Sequence, residues 1–348
     1  MISKSIYPWQ ENAWQQLHSL RSRLPHALLF HGAAGIGKAR FIEHVAQSLL
    51  CEAVQANGHA CARCISCNWF LQQNHPDFRL VRPHALEDDA PPEGEGDAAG
   101  AEAKAAKSGK APSKEIKIDQ VRALFDLMNI STHRQGLRVI VLYPAEALNT
   151  PASNALLKML EEPPPGSVFL LASNSLDRLL PTILSRCHKF ALPTPASAEA
   201  LLWLKAQGIA APEDALREQG GAPLAALAQA QAQTGQRDDI EALLQSLARP
   251  SLAGALTAAE KLAKAPLHEL VSCLQRWLYD LFALKMAGVI RYYPRYQQQL
   301  TALAQQVENG RLLDVMKGAN QRRAIAGHPL SPKLFIEDML LEYVACFK

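Results

Sequence analysis

A short apolar run, Ala27 to Phe30, enters the segment His-Gly-Ala-Ala-Gly-Ile-Gly-Lys-Ala-Arg at residues 31–40, and an amphipathic stretch follows at once. No other feature of the chain narrows its possible folds as much. A glycine-rich loop between a strand and a helix lets backbone N–H groups converge on an anion, and the helix N-terminus adds its positive dipole end. Gly32, Gly35 and Gly37 supply such a loop, with Lys38 placed to grip a terminal phosphate. The next position, which carries a Mg²⁺-ligating hydroxyl in a complete motif, is Ala39. The motif thus marks a parallel α/β core while leaving open whether its loop holds a nucleotide. Phe41, Ile42, Val45, Ala46, Leu49 and Leu50 then recur with the period of a helix packed on a sheet.

The alternation continues downstream. Strands are predicted at 27–30, 78–81, 138–143, 168–172 and 189–192 with helical patterns between them, giving a phosphate-loop α/β fold with helices on both faces of a parallel sheet. Beyond Pro193-Thr194-Pro195 no strand pattern recurs, and Ala, Leu and Gln dominate with helical spacing. Gly220-Gly221 and Arg249-Pro250 punctuate this half, so the expected domains are a core over 1–193, a small helical domain over 194–249 and a larger helical domain over 250–348. In the last, Leu267, Val271, Leu274, Leu278 and Leu281 line one helix face. A length of 348 residues, 48% of them hydrophobic, is enough for several cores. Residues 85–115 hold almost no large apolar side chain and read as a disordered insertion. Such an insertion is cheap, because loop closure costs only about 0.6 kcal/mol per doubling of length.

The net charge of +3 is too small to indicate nucleic-acid binding by itself. No apolar run approaches the roughly 18–20 residues of a membrane span, and the N-terminal Met-Ile-Ser-Lys-Ser-Ile-Tyr lacks a signal-peptide pattern. A cytoplasmic protein with no membrane partner is expected.

A hydrolytic phosphate-loop site needs a second half: a hydrophobic strand ending in two acids, one supporting Mg²⁺ and one polarising water. The strand Arg138 to Leu142 is present, but Tyr143 and Pro144 stand where the acids belong. Glu146 follows and is expected in the first turn of the next helix, in a structural role.

Four of the seven cysteines cluster as Cys51, Cys61, Cys64 and Cys67. Two-residue spacings let paired thiolates meet one ion, so a closed, structural Zn²⁺ site is expected. An iron–sulfur cluster is the rival, although the usual Cys-Pro is absent because Asn68 follows Cys67. Cys187, Cys273 and Cys346 stand singly in apolar surroundings and read as core residues.

The segment Asn-Ala-Leu-Leu-Lys-Met-Leu-Glu-Glu-Pro-Pro at 154–164, followed by Leu-Pro-Thr-Ile-Leu-Ser-Arg-Cys at 180–187, resembles the clamp-loader branch of the AAA+ family. The cysteine cluster and the incomplete loop narrow the likeness to the non-hydrolysing, stator-like kind of subunit in the bacterial DNA polymerase III clamp loader. The likeness covers nearly the whole chain, with its motifs in the first two-thirds. It implies that 1–193 is the AAA+ core with the cysteine module at 51–67, 194–249 a lid, and 250–348 a collar used for oligomerisation.

Residue by residue, the likeness implies that Ser185, Arg186 and Cys187 form the family's Ser-Arg-Cys, with Arg186 a finger acting in trans on ATP held by a neighbouring subunit. It implies that the sensor 1 position falls on Ser173 or Asn174, and that the sensor 2 arginine is replaced by Leu224. It points to zinc at the four cysteines and to ATP only at the adjacent subunit's site. No ATPase of its own is expected, only membership of a DNA-directed DNA polymerase (nucleotidyltransferase) holoenzyme. The implied partners are gamma/tau-type ATPase subunits, a clamp-opening delta-type subunit, the sliding clamp and primer–template DNA, in a hetero-oligomeric ring that helps load the clamp during DNA replication.

Two other readings stay open: an autonomous phosphate-loop ATPase, and a zinc-containing nucleic-acid binder with a vestigial loop. His75 and Asp77 are read as a turn with a solvated carboxylate, and Arg322 and Arg323 as surface charges at a helix end.

Overall fold

The computed structural model describes residues 5–86, 113–128, 132, 136–232, 234–327 and 331–347. Most of the expected insertion, residues 87–112, lies outside the described residues. The chain divides into two compact units, Met1–Pro195 and Ala196–Lys348.

The first unit is built on five parallel strands: β1 (Ala27–His31), β2 (Phe78–Val81), β3 (Arg138–Leu142), β4 (Ser167–Ser173) and β5 (His188–Ala191), in the order β2-β3-β4-β1-β5. β3 and β4 are buried along their whole length, which is why their sequences read as unbroken apolar runs rather than alternating ones. The observed strands differ from the expected ones by a residue at some ends. Leu192 leaves β5, for instance, yet still donates its N–H to His31 O at 2.8 Å.

Both faces are covered. On one, Leu29, Ile140 and Phe169 pack with Val121 of α4 (Ile118–Met128), Leu156 of α5 (Thr150–Glu161) and Ile183 of α6 (Pro181–Arg186). On the other, α2 (Lys38–Leu50) lies against β1, β3 and β4, with Phe41 edge-on to Phe30 at 5.7 Å between ring centroids. All six periodic residues of α2 are buried. Ahead of β1 stand a 3₁₀ turn, Pro8–Gln10, and α1 (Glu11–Ser19); α3 (Ile65–Leu71) follows the cysteine-rich loop.

The second unit is entirely helical among the described residues. Ala200, Leu204, Leu216 and Ala226, from α7 (Ser197–Ala206), α8 (Pro212–Glu218) and α9 (Pro223–Gln231), form a small core. A larger core unites α10 (Thr234–Ala248), α11 (Leu252–Lys261), α12 (Leu267–Ala287), α13 (Gln297–Gln306), α14 (Asn309–Ile325) and α15 (Pro332–Ala345). Leu243, Leu244 and Leu247 of α10 belong to this larger core.

Along α12, Val271, Leu274, Leu278 and Leu281 are buried as their spacing requires, and Trp277 donates to the Tyr343 hydroxyl at 2.8 Å, which in turn donates to Leu247 O at 2.8 Å. The helix ends at Gly288, whose φ of +68° lies in the left-handed region that glycine enters without strain. The buried Asp280 carboxylate accepts from the N–H groups of Arg291, Tyr292 and Tyr293, tying down the chain after that end.

One expectation fails in this unit. Arg322 is only 13% exposed and is ion-paired with Asp338 and Glu342 of α15, so its charge is spent inside the unit; Arg323 is the exposed member.

Candidate functional site

The phosphate loop is closed over itself. A side chain at Gly32 would bring its Cβ to 2.3 Å from Leu192 O, and Gly37 combines φ +91° with a Tyr7 ring that would lie 2.5 Å from such a Cβ. Gly32 is therefore demanded by packing, and Gly37 by packing and by its left-handed backbone. Lys38, the first residue of α2, is 3% exposed and turns back to donate its Nζ to Gly32 O at 3.0 Å and Ala33 O at 2.6 Å. Burial draws its pKa down to about 8 against the raising pull of Glu146.

The N-terminal segment lies against the same loop. Trp9 Nε1 donates to Ile36 O at 2.9 Å, and Gln10 Nε2 to Gly37 O at 3.0 Å. Arg40 sits 4.3 Å from the Tyr7 ring centroid, a cation–π contact beside Gly37. Two of the three ammonium donors of Lys38 are thus engaged within the loop itself.

The strand ends carry polar groups joined to one another. Tyr143 is followed by a cis peptide to Pro144, and Glu146 lies in the first turn of the next helix, a short 3₁₀ element, Ala145–Ala147. Its Oε1 accepts from Asn174 N at 3.0 Å and Asn174 Nδ2 at 2.8 Å. This link is invisible in the amino-acid order, because the two residues are 28 positions apart and meet only through the pairing of β3 with β4. Ser173 Oγ donates to Ser175 O at 2.9 Å, closing a local turn. Leu224, in the first turn of α9, is half-buried and brings no charge.

Arg186 is the last residue of α6 and Cys187 caps it. Ile183 is fully buried and Cys187 nearly so, its thiol pushed up to about 11 by desolvation, and these two anchors leave the intervening Arg186 at the surface. Its side chain is 34% exposed, donates to Thr182 O at 3.0 Å and Ser185 Oγ at 3.3 Å, and is ion-paired with Glu161 at the end of α5. Ser185 Oγ donates to Thr182 O at 3.0 Å.

The four clustered cysteines converge. Cys51 caps α2, Cys64 caps α3, Cys67 lies in the first turn of α3, and all four Sγ atoms lie within 4.8 Å of one another. The N–H of Cys61 points at Cys51 Sγ at 3.2 Å, that of Cys64 at Cys61 Sγ at 3.3 Å, and that of Cys67 at Cys64 Sγ at 3.3 Å. Backbone donors aimed at sulfur stabilise thiolates. The Cys61 thiol is drawn down to about 6, chiefly by the Arg63 backbone N–H, whereas burial raises Cys51 and Cys67.

A tetrahedral ion with sulfur at about 2.3 Å needs sulfur–sulfur edges of about 3.8 Å, and Cys61 Sγ lies 4.0 Å from Cys67 Sγ. Four soft donors with this spacing fit one metal ion with no open coordination position. Ala62, between the first two ligands of the turn, has φ +56°, a conformation costing a residue with a Cβ about 1–2 kcal/mol.

The expectation of a solvated Asp77 is overturned. Asp77 is wholly buried, with Oδ1 3.9 Å from Arg138 Nη2, and His75 is 2% exposed. The Asp77 N–H donates to His75 Nδ1 at 3.1 Å, leaving Nε2 to donate to Ser66 Oγ, which donates to Leu50 O. Every donor runs away from a nucleophile's requirements, so this cluster is a clasp on α3.

The sheet order, with the phosphate loop after β1 and Arg186 at the end of α6, places the first unit in the AAA+ class of phosphate-loop folds. The family model described as DNA polymerase III, delta subunit, matches residues 9–196. The chain is 35% identical over 304 residues to DNA polymerase III subunit delta′ of Pseudomonas aeruginosa, covering 86% of this chain and 81% of that relative. It is 31% identical over 249 residues to DNA polymerase III subunit delta′ of Escherichia coli, covering 70% and 65%.

The chain belongs to the DNA polymerase III subunit delta′ family. A solved gamma subunit-related protein of DNA polymerase III from Thermotoga maritima overlaps 97% of this chain and all of its own with a TM-score of 0.40 at 16% identity. That overlap is loose, and the fold stands on this chain's own sheet and motifs.

Proposed function

We propose that the chain is the non-hydrolysing, stator-like subunit of a DNA polymerase III clamp loader, helping place the sliding clamp on primed DNA. Its own loop takes no part in turnover. Arg186 reaches ATP bound by a gamma/tau-type ATPase subunit beside it, with Ser185 ordering the helix end, and a delta-type clamp-opening subunit completes the hetero-oligomeric ring. In this reading residues 194–249 form the lid, with the last of its helices, α10, packed into the larger core, residues 250–348 form the collar, and Cys51, Cys61, Cys64 and Cys67 hold a structural Zn²⁺. Sulfurs packed within 4.8 Å suit a single ion better than a multi-iron cluster.

One observation carries the proposal: of the two cations the motifs supply, Lys38 is buried on its own loop carbonyls while Arg186 stands at the surface on a pinned helix end. A cation presented in trans neutralises the transferring phosphoryl group, and fingers of this kind are worth about 10³ to 10⁵ in rate at the site they serve. In a loader reconstituted with Arg186→Ala, ring assembly by gel filtration should be intact, with clamp-stimulated ATPase reduced by the share of the one site Arg186 serves. Full ATPase with intact assembly would remove the assignment. Turnover of ATP by the isolated chain would favour the autonomous-ATPase reading.

A further inference from the structure

Arg186 does not project freely. Its guanidinium is ion-paired with Glu161 and donates to Thr182 O at 3.0 Å. Glu161 is the last residue of α5, followed by Glu162 and then Pro163-Pro164, which forbid the helix from continuing. Two consecutive acids at a helix C-terminus oppose the helix dipole, whose negative end lies there. The last turn of α5 already carries Lys158, and Glu161 itself takes its ion-pair partner, Arg186, from the next helix. The pair is half in water, with side-chain exposures of 34% and 48%, so it is weak and easily exchanged. A phosphate oxygen is a better partner for a guanidinium than a solvated carboxylate, because it offers more charge and bidentate geometry.

We infer that Glu161 is a positioning residue for Arg186: a latch in cis that holds the finger against the end of α5 until the phosphates of a nucleotide on the neighbouring subunit take it over. The exchange moves no proton and breaks no covalent bond. Glu161 touches neither nucleotide nor reacting atom. Its consequence is a threshold. The neighbouring site must compete with Glu161 for Arg186, so the latch raises the ATP concentration needed for half-maximal turnover without lowering the maximal rate.

The inference rests on the proposed trans role of Arg186, and its test separates the two. In the complete reconstituted loader, Glu161→Gln should lower the KM for ATP by about two- to five-fold, the range a surface ion pair can supply, with kcat unchanged or higher. Glu161→Asp, which keeps the carboxylate, should stay near the unaltered protein, and Glu161→Gln should add nothing in an Arg186→Ala background. If Arg186→Ala lowers ATPase while Glu161→Gln leaves KM unchanged, the latch is wrong and the finger stands. If Arg186→Ala itself has no effect, the finger reading fails and the latch with it. A fall in kcat with Glu161→Gln overturns the latch and assigns Glu161 to support of the active arrangement. A lowered thermal midpoint shared equally by Gln and Asp, with KM unmoved, assigns it to the fold alone.

Discussion

Lys38 and Arg186 are both cations of the α/β unit, each at one end of a helix packed on the sheet, and they are held in opposite ways. Lys38, at the start of α2, is 3% exposed and satisfies two carbonyls of the loop that presents it. Arg186, at the end of α6, keeps a third of its side chain in water and shares a carboxylate that is itself about half exposed. Burial turns the first into a structural member whose removal leaves unpaired acceptors. Exposure leaves the second free to change partners at small cost. The lesson is that a motif residue is assigned by what its charge already satisfies: two buried loop carbonyls for Lys38, a half-exposed carboxylate for Arg186.

The cysteine module gives the largest expected effect, because α2 joins it to the loop: the helix begins at Lys38 and ends where Cys51 caps it. Structural zinc sites in small peptides contribute apparent binding energies of about 10–16 kcal/mol. Elemental analysis should find one zinc per chain. Cys67→Ser, which removes a buried ligand, should strip most of it and lower the thermal midpoint, with a further loss of order at α3 visible by hydrogen exchange. Iron, or a visible absorption band, would replace zinc with the rival assignment. An unaltered midpoint after zinc loss would show that the module holds without metal.

Lys38→Met comes next. In a hydrolysing loop the lysine is indispensable, so this change would abolish turnover. Here the reconstituted loader should keep its ATPase, while the chain loses about 1–3 kcal/mol in urea unfolding as Gly32 O and Ala33 O are left without their donor. A loader silenced by Lys38→Met, with stability intact, would reverse the comparison and make this loop a working nucleotide site.

Much of this arrangement was legible in the chain itself, and the exceptions share a cause. The strand–loop–helix around Lys38, the helix faces of α2 and α12 and the convergence of the four cysteines follow from local periodicity and spacing. Sequence showed the acids missing after β3, but not that Glu146 reaches across to Asn174, since that depends on strand register. Asp77 and Arg322 looked solvated because charged residues at turns and helix ends usually are. Each is instead buried or nearly so beside an opposite charge, Arg138 for one and Asp338 with Glu342 for the other. The folded-back Lys38 was equally hidden: nothing in Gly-Ile-Gly-Lys tells a lysine aimed at phosphate from one aimed at its own loop.

The smallest effect concerns the protonation of Lys38. Its folded pKa is drawn down to about 8, by burial first, from an ordinary 10.5. Below about pH 8 both folded and unfolded chains carry the charge, and the fold bears the full cost of burying it. Between about 8 and 10.5 the unfolded chain binds more protons, so folding stability contributed by this group rises with pH. Other lysines and tyrosines titrate in the same window, so the test is the difference between the unaltered chain and Lys38→Met, measured by urea unfolding at pH 7.5 and pH 10. That difference should grow in favour of the unaltered chain as pH rises. A difference that shrinks would mean the two carbonyls stabilise the ammonium more than burial penalises it, and the loop would then be clasped by a charge that it holds throughout.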